Sequence, residues 1–98
     1  MSDVRLTWDL PTVTPRQYPI AHVRIEFRVD ESFPWTVQDT VLASEVQELL
    51  FVDVQPGTFF YQAIVVDEQG QEGAPVETSI NIAFDVPGGV ENFLATEE

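Results

Sequence analysis

From Ala21 onward the chain alternates apolar and polar side chains without a break: Ala21, Val23, Ile25, Phe27 and Val29 against His22, Arg24, Glu26 and Arg28. A period of two is that of a strand with one face in a core and the other in water, and it excludes a helix there. Val4, Leu6, Trp8 and Leu10 repeat the pattern against Arg5, Thr7 and Asp9 until Pro11 stops it. No segment of adequate length places apolar residues at helical spacing, and no internal repeat is present. A chain built from strands alone must bury their apolar faces by stacking two sheets or closing one.

Ninety-eight residues, 44% of them apolar, suffice for one domain with one core. Cysteine is absent, which excludes disulfides, thiolate metal sites and a cysteine nucleophile. The formal charge is −13, from seventeen carboxylates against four arginines and no lysine. Phosphate backbones would be repelled, so nucleic acid is not an expected partner. The acidic balance reads as an aid to solubility or an adaptation to high salt rather than as a cation site. No apolar run approaches the roughly 18 residues of a membrane span, and Met1-Ser2-Asp3 opens neither a basic region nor an apolar signal core. A soluble chain with no membrane insertion and no export signal of its own is expected.

Val54-Gln55-Pro56-Gly57-Thr58-Phe59-Phe60-Tyr61-Gln62-Ala63-Ile64-Val65-Val66-Asp67-Glu68-Gln69-Gly70 resembles the E–F corner and F strand of a fibronectin type III domain. The resemblance runs from Leu6 to about Phe84 and implies an all-β, immunoglobulin-like sandwich of two sheets. In that frame Leu6-Thr7-Trp8-Asp9-Leu10-Pro11 is strand B, the segment from Thr12 to Pro19 is a loop, and Ala21 to Val29 is strand C. Phe33-Pro34-Trp35-Thr36-Val37 fits strand C′, with Leu50, Val52 and Val54 giving strand E. Strand G has Val76, Thr78, Ile80, Ile82 and Phe84 on its inward face. Trp8, Val23, Ile25, Phe60, Ile64 and Ile80 are the expected core. One departure concerns the family's corner tyrosine, which aligns with Phe60, so its hydrogen bond to the backbone is missing unless Tyr61 substitutes.

Strand A, which opens such domains, is missing from the N-terminus, and residues 85–98 resemble the opening of a following domain in a tandem array. The expected organisation is therefore a sandwich over residues 1–84, strands B to G, and a C-terminal tail over 85–98 that is a candidate donated strand. A return of the tail to its own gap would have to cover about 27 Å. Asp85 to Gly89 reaches only about 17 Å when extended, so donation to a neighbouring subunit is the easier route. The alternative is a linker stub left by cutting a larger protein.

Chemistry is sparsely provided. His22 is the sole histidine and falls on the polar face of strand C, so no Ser-His-Asp set can be assembled around more than one base. Asp67, Glu68 and Glu72 at one turn and Asp30 with Glu31 at another lack the alternating spacing of a calcium loop. No catalytic residue, cofactor or metal is expected. Strand F, apolar on both sides, leaves a contact surface instead: with Phe60 and Ile64 inward, Phe59 and Tyr61 project from the outer face, near Trp35. The competing arrangement has Tyr61 rather than Phe60 pointing inward through a bulge. Val90, Phe93 and Leu94 complete the expected contact residues.

The corner and the Trp35 segment are similar to modules in virion and tail proteins of tailed bacteriophages. That implies a non-enzymatic structural protein located in the virion, a capsid decoration or tail component, whose partners are copies of itself or companion virion proteins in an oligomer or larger assembly. The alternative is a module of a larger extracellular or cell-surface protein, an adhesin or a carbohydrate-active enzyme, in which Trp35 and Tyr61 would stack on sugars.

Overall fold

The computed structural model describes residues 2–84 and 87–97. Over these it is all-β, with six strands: β1 (Ser2–Thr7), β2 (Ile20–Arg28), β3 (Thr36–Leu42), β4 (Glu48–Val54), β5 (Gly57–Asp67) and β6 (Val76–Ile82). They form two antiparallel sheets, one of two strands in the order β1-β4 and one of four in the order β3-β2-β5-β6. Asp85, Val86 and Glu98, all within the expected tail, lie outside the described residues.

β2 sets the geometry because its alternation is unambiguous. Val23 and Ile25 are fully buried, and the antiparallel register places Val65, Ala63 and Tyr61 directly across from Val23, Ile25 and Phe27. These residues share one face of the larger sheet. Tyr61 carries that face onto the smaller sheet, its ring stacked on Phe51 of β4 at 5.5 Å between centroids and tilted against Phe27 at 6.3 Å. From the smaller sheet, Val4, paired with Phe51, and Leu6, paired with Leu49, point the same way. The core is the layer between.

Five expectations change here, the first being that Ile64, though buried, lies across from Arg24 on the outer face rather than inward. Tyr61 faces the core at 5% exposure, and Phe60 occupies the opposite, outer face across from Arg28. No bulge is involved, since β5 pairs with β6 without a shift from Gly57 to Ala63. Trp8 lies just past the end of β1 and is half-buried, its Nε1 donating to Gln47 Oε1 at 2.8 Å, which holds the indole toward the β3–β4 loop rather than deep between the sheets. Ile80 has the expected orientation but stays exposed, because the smaller sheet does not extend over β6.

The third strand also sits later than the sequence implied. Phe33, Pro34 and Trp35 precede β3, which begins at Thr36 and runs to Leu42. A register shift opposite Ile25 and Glu26 puts one extra residue into β3, so Val41 turns inward across from Val23 while Val37 lies across from Glu26 on the outer face. In β4, Leu50 and Val52 are exposed, and Leu49 and Phe51 face the core instead.

Candidate functional site

Two sheets of unequal width cannot cover each other. β1 pairs with β4 on one side, and among the described residues no strand pairs with its other edge. That edge lies toward β6: Leu6, Thr7 and Trp8 line a small niche of about 130 Å³ together with Tyr61, Ala63, Val76 and Thr78. Beyond Trp8 the niche opens into a cleft of about 740 Å³ between the loop before β2 and the inner face at Val23, Val65 and Val76. The two spaces share Trp8, Ala63 and Val76 and make one groove along the inner face of β5 and β6.

The groove is apolar where a core would be. Val76 lies across from Ala63 and Ile80 across from Phe59, on the face that carries Tyr61, yet Val76 is 70% exposed. Leaving such a face wet forgoes roughly 25 cal/mol for each Å² that a partner would cover. The unpaired N–H and C=O groups of β1 beside it are a template for another strand.

The expected contact residues divide accordingly. Phe59 is half-buried on the groove side rather than on the outer face, its ring curled over Gly57, where an added Cβ would meet it at 3.7 Å. Gly57 has φ of +145°, a conformation that suits glycine and lets the chain turn into β5 this close to the ring. Tyr61 is a core residue, and burial raises its hydroxyl pKa above the usual value of 10. As a buried ring it offers no outer contact surface. Trp35 is engaged within the chain: the Arg28 guanidinium lies 4.1 Å over its ring, and Arg28 Nη1 donates to the carbonyl of Phe33 at 3.2 Å. Such a stacked pair pins the ring at the end of β2, away from Tyr61. Val90, Phe93 and Leu94 are 80%, 87% and 80% exposed.

The outer face of the larger sheet is ionic. Arg24 pairs with Glu72 and with Glu26, the latter at 3.3 Å, and Gln62 donates to Glu26. Hydrogen bonding to Glu72 is the main influence raising the Arg24 pKa. At the turn after β2, the Ser32 backbone N–H donates to Asp30 Oδ1 and lowers the Asp30 pKa. His22 is half-buried on this same face, across from Val66. Among the described residues no group of three or more His, Asp or Glu side chains is disposed to hold a metal ion.

An open strand edge was among the expectations, and the apolar groove beside it on β6 was not. The orientation of strand G was readable, but its exposure depends on the width of the opposite sheet. No family model matches the chain, and no curated protein matches it.

Proposed function

We propose that the protein is a non-enzymatic assembly component that works through its unfinished edge, and that its setting is the virion of a tailed bacteriophage, as a capsid decoration or tail protein. The observation that carries the assembly reading is the open edge of β1 beside the uncovered apolar face of β6. An unprotected edge next to an apolar groove is a liability in a free monomer and an asset in a particle. The finer fold, a fibronectin type III-like sandwich lacking strand A, is supported by strand order: β1 and β4 take the places of B and E, and β3, β2, β5 and β6 those of C′, C, F and G. The virion setting rests on the resemblance of the corner and the Trp35 segment to phage modules.

The second reading, a module of a larger extracellular adhesin or carbohydrate-active enzyme, draws on the exposed tail, which would then be a linker. Mass spectrometry of gradient-purified particles from the source separates the two. Recovery of the chain at a fixed ratio to the major virion proteins is the expected result. Its absence from particles, with recovery inside a longer secreted or surface polypeptide, would replace the virion reading with the module.

A further inference from the structure

We infer that the groove is filled by residues 90–95 of a second copy of this chain, laid as an added strand along the free edge of β1. This rests on the assembly reading and names the partner for the same site. The lengths agree: β1 has six residues, and Val90-Glu91-Asn92-Phe93-Leu94-Ala95 matches it one for one. Phe93 and Leu94 are adjacent, so they point to opposite faces of a strand, and whichever register forms, one of them enters the groove.

Polarity decides between a chain's own tail and a neighbour's. Ile82 pairs with Gly57, and Val54 pairs with Ser2, so β6 ends at the pole where β1 begins. An antiparallel mate for β1 must start at the other pole, about 20 Å away for six residues. Residues 83–89 reach at most about 25 Å fully extended, and giving two of them to the reversing turn leaves about 17 Å. A chain's own tail therefore falls short, whereas a neighbouring copy can approach from the far pole. Donor and acceptor are different surfaces, so the contact is heterologous and propagates into a ring or an open chain.

Two full-length variants test this: Thr78→Glu, an exposed position in the groove, and Phe93→Glu with Leu94→Glu in the tail. Sedimentation of the wild type at rising concentration should show a series of oligomers. Each variant alone should be monomeric, its self-association weakened tenfold or more. An equimolar mixture should form a one-to-one dimer and nothing larger, because only the groove variant's tail and the tail variant's groove remain competent. Melting temperatures equal to that of dilute, monomeric wild type would confirm that folding is intact in both variants. Wild-type protein that stays monomeric to millimolar concentration overturns donation between copies, as does a tail variant that still associates like the wild type. A tail variant whose melting temperature falls equally at all concentrations also overturns it, by showing a tail docked on its own β1 in the parallel sense. Particle incorporation is scored separately, so these failures leave the assembly reading to stand or fall by itself.

Discussion

Tyr61 shows how one residue's environment is decided by a strand it does not belong to. β5 is apolar on both sides, so its own pattern cannot assign faces, and the sequence left an inward Phe60 and an inward Tyr61 as competing arrangements. The assignment comes from β2, where Phe27 stands across from Tyr61, and from Phe51, on which the ring stacks. Replacing Tyr61 with Ala removes a buried ring between two aromatic neighbours and should cost about 3–5 kcal/mol. Urea unfolding measures this, and a loss under about 1 kcal/mol would show that the ring does not organise the core. Trp8 is the complementary case. Its place in an alternating run predicted burial, but the strand ends at Thr7, and the indole beyond it is held at the mouth of the groove by Gln47.

Among the elements, legibility follows the contrast between faces. β2 could be read almost to the residue, because four charged or polar side chains alternate with apolar ones. β3 could not: its bulge puts Val37 and Val41 on opposite faces, although a regular strand would place residues four apart on the same one. The extent of the groove lay beyond sequence reading, since it depends on how far the smaller sheet reaches over β6. The tail is the element on which charge acts most. Asp85, Glu91, Glu97 and Glu98 give it four of the seventeen carboxylates and none of the four arginines, and it must approach a body that is itself acidic. Tail docking should therefore strengthen as salt rises, because exposed charges are screened over about 10 Å at 0.1 M ionic strength. Sedimentation across a salt series measures this. Association that weakens with salt would point to ion pairing, which the tail's composition does not provide.

At the scale of the whole molecule, a two-stranded sheet faces a four-stranded one, and Val90, Phe93 and Leu94 of the tail are exposed. A narrow sheet over a wide one leaves β6 half-covered, and the same topology that opens the groove keeps a chain's own tail from closing it antiparallel to β1. Under the proposed donation, the stability of each copy should depend on the concentration of the others. Hydrogen exchange of the full-length chain at low and at high concentration reads this at single amides. Phe93 and Leu94 in the tail, together with amides on the free edge of β1, should exchange rapidly in dilute protein and become protected as copies associate. Fast exchange at both concentrations, or equal protection in the dilute monomer, would contradict completion of one copy by another.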